Sequence, residues 1–213
     1  MSSSNSASSK QPDAARSASP SPAEPVSKKP KNAGKGGAHE DGDVNFTDDG
    51  FPDKVQPWNV PADAWEGTYK GSCHCGAVTF EAKGDPVASV CCHCTTCQVV
   101  HGATSQRAVL YKKDHIKFPK DVLGSVAFYQ THDKKVGRHL PCKVRCKTCG
   151  TLIADEGRNM WLAFPSLFKF PDAKEPESFR VQNHIFYDQR VFDIAKPDGV
   201  KFWSGAKDES EER

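Results

Sequence analysis

The sequence predicts a mainly β domain of many short strands, preceded by a long disordered tail. Segments such as "AVTFEA" alternate apolar and polar residues with the period of two that is typical of half-buried strands. Turns rich in Gly, Pro and Asp separate these segments. No long stretch has the 3.6-residue apolar period of an amphipathic helix. We therefore expect strands throughout the domain, with one helical turn near residues 97–102.

The first 55 residues are predicted to be a disordered tail. Their segments "MSSSNSASSK" and "SASPSPAEP" are rich in Ser, Pro and Ala, and Phe46 is the first aromatic residue. Such a segment cannot bury enough apolar surface to offset the entropy of ordering it. We predict a tail at 1–55, a globular domain at 66–205 and a charged C-terminal tail at 206–213.

Five segments of the globular part are predicted to be strands. In the first, "AVTFEA", Val78, Phe80 and Ala82 fall on one face, and Thr79 and Glu81 fall on the other. The other four, in chain order, are "SVAFYQ", "TLIADE", "MWLAF" and "FRVQNHIFY". The domain is therefore predicted to be mostly β and built from many short strands.

Charge and hydropathy disfavour several classes of protein. The net charge is +2, and acidic residues follow the lysines of the tail, so the sustained basic stripe of a nucleic-acid arm is missing. No apolar stretch approaches the roughly 18 residues that span a bilayer, and the N-terminus lacks a secretory pattern. We expect a cytoplasmic protein without a membrane partner. The run Lys28-Lys29-Pro30-Lys31 is the feature that would favour the nucleus instead.

Seven of the nine cysteines form three close sets: Cys73 and Cys75; Cys92, Cys94 and Cys97; Cys146 and Cys149. Residues i and i+2 of a strand point to the same face, and a C-x-x-C turn also directs two sulfurs to one ion. Gly76 and Gly150, each directly after a cysteine, suit the tight and often left-handed backbone of such turns. The spacing therefore predicts metal binding.

Seven thiolates exceed one tetrahedral site and fall one short of two closed sites. Structural zinc has four protein ligands, whereas catalytic zinc has three and an open position. The first and third sets together would close a structural site, here called the four-cysteine group. The second set, here called the three-cysteine group, would hold a second, catalytic zinc. A cluster of two zincs with bridging thiolates would use the same residues.

Other cysteine chemistries fit the spacing less well. A disulfide framework needs an oxidising compartment and leaves an odd cysteine. Iron–sulfur motifs use other spacings, and a redox pair at Cys94 and Cys97 would require a βαβ context. The strongest rival is a rubredoxin-like site from Cys94, Cys97, Cys146 and Cys149. That rival leaves three of the seven cysteines unexplained.

Several other residues close to the cysteine motifs are assigned roles from their type and position. Cys91 and Cys142 are predicted to be buried apolar bystanders. His93 and His184 are candidates for hydrogen bonds near the three-cysteine group. Basic residues close to the motifs, which could bind substrate carboxylates, are Arg107, Arg138, Arg145 and Lys147. The aromatic residues Trp161 and Phe164 are expected to pack in the core.

The motifs "GSCHCGAVTF", "CCHCTTCQ" and "CKTCGTLIA" resemble, in this order, those of the glutathione-dependent formaldehyde-activating enzyme and centromere protein V family. The later segments "NHIFYDQR" and "KPDGVKFWSG" also look like that family, so the resemblance covers residues 67–205. It implies a compact fold of several coiled antiparallel sheets, called a β-tent. It also assigns the four-cysteine group to a structural zinc and Cys92, Cys94 and Cys97 to the catalytic one.

The resemblance further implies a zinc-dependent carbon–sulfur lyase whose partners are a small thiol, glutathione, and a small electrophile, formaldehyde. Three thiolates on Zn²⁺ leave a formal charge of about −1, which suits the binding and deprotonation of a thiol at the open position. The zinc would alternatively polarise the aldehyde oxygen. The competing hypothesis is a non-enzymatic, zinc-stabilised module that binds a protein or chromatin.

Overall fold

The computed structural model describes residues 56–61 and 65–213, and the predicted tail at 1–55 lies outside them. Within these residues the chain forms one α-helix, α1 (Thr95–His101), and thirteen strands. The strands are β1 (Tyr69–Ser72), β2 (Thr79–Ala82), β3 (Ala88–Cys92), β4 (Gln106–Lys112), β5 (Ile116–Lys117), β6 (Val126–Gln130), β7 (Lys135–Val136), β8 (Cys142–Cys146), β9 (Leu152–Glu156), β10 (Met160–Ala163), β11 (Phe168–Lys169), β12 (Asn183–Ile185) and β13 (Lys201–Phe202). Short 3₁₀ helices lie at Lys113–His115, Val122–Ser125, Pro165–Leu167, Pro171–Ala173, Glu177–Phe179 and Tyr187–Gln189.

The strands form two sheets. The smaller sheet has four antiparallel strands in the order β11-β1-β2-β5. The larger sheet has nine strands in the order β13-β12-β3-β4-β10-β9-β8-β6-β7. In the larger sheet β12 runs parallel to β3 and β13, and the remaining pairings are antiparallel. The prediction of a mainly β fold is confirmed, and the antiparallel sheets implied by the resemblance become mixed at β12.

Local patterns account for most element positions. The alternation predicted for "AVTFEA" is confirmed, since Val78, Phe80 and Ala82 are buried and Thr79 is exposed. The strand predicted in "FRVQNHIFY" is only the three residues of β12, because Phe186 adopts a left-handed φ of +53° that ends the extended backbone. The helical turn predicted near residues 97–102 is part of a longer helix, α1, which spans Thr95–His101. No helix in the described part of the chain is long and apolar enough to cross a bilayer.

The main core lies between the two sheets. The smaller sheet contributes Phe80 and Phe168, and the larger sheet contributes Tyr111, Val144 and Trp161. Phe80 packs directly on Gly71 of β1, where a Cβ atom would lie 2.3 Å from the ring. Glycine is therefore required at this position for the ring to close over β1.

A buried ion cluster lies at the edge of this core. The Glu156 side chain is fully buried, and its Oε1 accepts from Lys113 Nζ at 2.8 Å and from Arg138 Nη2 at 2.6 Å. Arg138 Nε donates to Oε2 at 2.9 Å. Arg138, a candidate for substrate binding from the sequence, is thus directed to Glu156.

We expect Glu156→Ala to lower the free energy of unfolding by about 3–5 kcal/mol, because two buried cations lose their shared carboxylate. Chemical denaturation measures this loss. The control is Glu177→Ala, which removes an ion pair with Arg180. The side chains of Glu177 and Arg180 are 79% and 74% exposed, so the control should lower the free energy of unfolding by only about 0–1 kcal/mol. Equal losses in the two variants would contradict a structural role for the buried cluster.

Candidate metal centres

The four-cysteine group joins the two sheets. Cys73 and Cys75 follow β1 of the smaller sheet, whereas Cys146 ends β8 of the larger sheet and Cys149 lies in the next turn. The four sulfur atoms lie within 4.8 Å of one another. Cys73 and Cys146 are buried, and Cys75 and Cys149 are exposed. The group therefore connects segments that are distant in the sequence.

The sulfur spacing fits a tetrahedral ion. Cys73 Sγ lies 3.6 Å from Cys75 Sγ, and Cys75 Sγ lies 3.8 Å from Cys146 Sγ. A tetrahedron with zinc–sulfur bonds of about 2.3 Å has edges of about 3.8 Å. The donor set and its dimensions thus fit a metal ion bound by four sulfurs.

The backbone supports this arrangement as the sequence predicts. Gly76 and Gly150 have φ values of +80° and +74°, the left-handed conformation expected after each pair. The Val78 N–H donates to Cys73 Sγ at 3.2 Å. A hydrogen bond with the Thr151 hydroxyl at 3.1 Å lowers the pKa of the Cys149 thiol to about 5. That shift favours the thiolate that a metal requires.

The three-cysteine group is built by β3 and the start of α1. Cys92 ends β3, Cys94 is the N-cap residue of α1 and Cys97 lies in its first turn, with the three sulfurs within 4.8 Å of one another. Cys94 Sγ accepts the Cys97 N–H at 3.3 Å, and Gly102, with φ +58°, ends the helix. Cys97 and the Cys92 side chain are buried, whereas Cys94 is partly accessible, so Cys94 is the sulfur most open to a ligand.

The three sulfurs share their protons. Hydrogen bonds from Cys92 and then Cys97 hold the pKa of the Cys94 thiol far below its usual range. The same contacts raise the pKa of the Cys92 thiol. The lowered pKa favours the thiolate form of Cys94, which suits the group to bind a cation.

A buried lysine that sequence reasoning missed lies against the three-cysteine group. Lys143 Nζ is 3.6 Å from Cys97 Sγ and 2.6 Å from Asp155 Oδ2. Its third neighbour is His101 Nε2 at 3.2 Å. Burial favours the neutral amine, but Asp155 and Cys97 outweigh it and raise the pKa of Lys143. A positive charge thus adjoins the Cys97 sulfur.

Asp155 and His101 complete this network. Burial raises the pKa of Asp155, and its ion pair with Lys143 opposes that shift. Burial, followed by the charge of Lys143, lowers the pKa of His101 to about 4. Asp155 Oδ1 is buried and has no hydrogen-bond partner among the described residues. The only sequence signal here is the i, i+4 spacing of Cys97 and His101 on α1, which places both on one helix face.

The two candidate histidines bind each other. His93 Nε2 and His184 Nδ1 are 2.8 Å apart, and both rings are buried. Burial lowers the pKa of both imidazoles, that of His184 to about 4. Cys91, buried as predicted, lies beside them on the opposite side of the strand from Cys92. This neutral pair fixes the segment between Cys92 and Cys94 against β12.

The remaining residues singled out in the sequence lie either in the core or at the surface. Trp161 and Phe164 are buried in the core, as expected. Arg107 forms a surface ion pair with Glu175 at 2.8 Å. Arg145 is exposed and lines a cavity that Lys143 also lines. Arg145 lies two residues after Lys143 in β8, and its side chain has no ion pair or hydrogen bond among the described residues.

Comparisons with known proteins agree with these motifs. Residues 68–189, more than half of the chain, match the family model described as glutathione-dependent formaldehyde-activating enzyme. This range contains all seven cysteines of the two groups. The comparison with curated proteins gives no match. Among solved structures, the crystal structure of a Rhodobacter sphaeroides protein aligns with a TM-score of 0.38 and 18% identity, over 53% of this chain and 96% of that one.

Proposed function

Because the chain belongs to the glutathione-dependent formaldehyde-activating enzyme family, we propose that it is a zinc-dependent carbon–sulfur lyase. It adds a thiol such as glutathione to formaldehyde or a related electrophile, and it catalyses the reverse reaction. The observation that carries this proposal is a group of three cysteine sulfurs, of which Cys94 is partly accessible, beside a buried lysine. Three protein ligands leave one position for a reacting molecule, as in catalytic zinc sites.

We propose zinc for both cysteine groups, with the four-cysteine group as the structural site. At the three-cysteine group, bound zinc supplies a cation that lowers the pKa of an incoming thiol. The thiolate sulfur attacks the aldehyde carbon, a carbon–sulfur bond forms, and the carbonyl electron pair moves to oxygen. Lys143 stabilises the negative charge on that oxygen, and a proton from solvent completes the hydroxymethyl product. In the reverse reaction the same charge is stabilised as the bond breaks.

Thiol binding to cobalt-substituted protein tests this proposal. Glutathione should shift the ligand-field bands, because a fourth sulfur enters a three-sulfur site and a proton is released. S-Methylglutathione, which has no thiol proton, should shift them much less. Formaldehyde added afterwards should perturb the bands again.

Cys97→Ser should weaken the thiol response at least tenfold, while the bands of the four-cysteine group stay constant. The matched control is Cys91→Ser, a neighbouring cysteine outside both groups, which should retain the response. No response of the parent protein to any thiol would refute the lyase proposal. The zinc-stabilised binding module would then be the better account.

A further inference from the structure

The outer face of β8 presents two cations beside the three-cysteine group. Cys142, Val144 and Cys146 point into the main core, so Lys143 and Arg145 point to the opposite face. The regular pairing of β8 with β6 keeps Lys143 opposite Tyr129. Residues two apart on a strand are about 7 Å apart along it. The second cation therefore lies one side-chain repeat from Lys143.

A cavity of about 230 Å³ follows this face of the strand. The residues lining it include Val100 of α1, Tyr129, Lys143, Arg145, Gly150 and Leu152. Lys143 connects the cavity to the three-cysteine group, since its Nζ contacts Cys97 Sγ. The walls are largely apolar apart from the two cations, which is typical of sites for small molecules.

The two cations differ in their burial and in their charged partners. Lys143 is buried and its charge is balanced by Asp155 at 2.6 Å. Arg145 is exposed, and its side chain has no ion pair or hydrogen bond among the residues that the structure describes. A guanidinium presents a planar fork of donors that matches a carboxylate in a bidentate geometry. Arg145 is thus the group in this cavity that can receive an anion.

We propose that Arg145 is a specificity-determining residue that binds a carboxylate of the thiol substrate. This inference rests on the proposed function, because it assumes that the sulfur of the same molecule reaches the three-cysteine group. A thiol substrate whose sulfur lies near Lys143 and whose carboxylate lies at Arg145 needs several bonds between these two groups. A cysteine residue followed by a C-terminal residue provides that separation. The apolar walls contact the chain between them.

Titration calorimetry on the zinc-loaded protein tests the proposal with glutathione and its diethyl ester, which keeps the thiol but lacks both carboxylates. Arg145→Gln should weaken glutathione binding about tenfold or more and leave binding of the ester unchanged. Arg145→Lys should retain part of the affinity. The control Arg158→Gln removes another exposed arginine, in the turn between β9 and β10 and outside the cavity lining, and should change neither affinity. Thermal unfolding verifies that all variants are folded.

The outcomes separate this inference from the proposed function. If the parent protein binds both thiols equally well, or if Arg145→Gln weakens both ligands alike, the carboxylate role of Arg145 is wrong while the thiol site stands. If the parent protein binds neither thiol, the proposed function fails and the inference fails with it. Selective weakening of glutathione in Arg145→Gln alone supports the proposal.

Discussion

A Cys146→Ser variant is expected to lose its folded structure, whereas Cys142→Ser is expected to keep it. Both residues are buried in β8, but only Cys146 belongs to the four-cysteine group that joins the two sheets. Structural zinc can contribute roughly 10 kcal/mol to folding, which is comparable to the whole stability of a small domain. Cys142→Ser changes one buried sulfur to oxygen and should cost about 1 kcal/mol.

Elemental analysis and thermal unfolding measure this difference. The parent protein should contain about two zincs per chain if each group holds one ion. Cys97→Ser should retain one zinc and unfold cooperatively, because the three-cysteine group is local to β3 and α1. If Cys146→Ser and Cys97→Ser lose soluble, cooperatively unfolding protein to the same extent, the division into structural and reactive groups is wrong.

Lys143→Met is expected to reduce kcat/KM for the thiol and formaldehyde by roughly 100- to 1,000-fold, the usual effect of removing a group that stabilises a developing oxyanion. The same change leaves Asp155 without its counterion in a largely buried position, which should cost about 3–5 kcal/mol. A loss of activity in this variant alone could therefore reflect unfolding.

The double variant Lys143→Met/Asp155→Leu resolves that ambiguity. It removes both charges, so the free energy of unfolding should recover towards that of the parent protein. Its activity should remain as low as that of Lys143→Met, with zinc content unchanged. A double variant that is as active as the parent protein would show that Lys143 acts only in packing.

The features that the sequence predicts well are local. The buried face of β2 follows from the alternation of Val78, Phe80 and Ala82 with polar residues, which depends on neighbouring positions alone. Cysteine spacing is equally local within each set, and the structure brings the first and third sets together in the arrangement that the ligand count favours. Left-handed glycines at 76 and 150 follow from the same turns.

The features that the sequence does not reveal depend on contacts between distant segments. Lys143 alternates with apolar residues in β8 and resembles the exposed face of a strand, and Asp155 lies beside Glu156 at the polar end of β9. Lys143 and Asp155 are directly opposite in the β8–β9 register. His101 and Cys97 of α1 lie over Lys143. The parallel pairing of β12 with β3 likewise joins positions about 90 residues apart, and no local pattern marks it.

Strand β8 physically links the two cysteine groups. Its Cys146 belongs to the four-cysteine group, and three residues earlier Lys143 contacts Cys97 of the three-cysteine group. An ion at either centre therefore stabilises the same five-residue strand. We expect an ion at one group to raise the affinity of the other, because both would stabilise β8 and coupling between binding sites is reciprocal. Metal loading should then be cooperative, with apo and fully loaded molecules favoured over half-loaded ones.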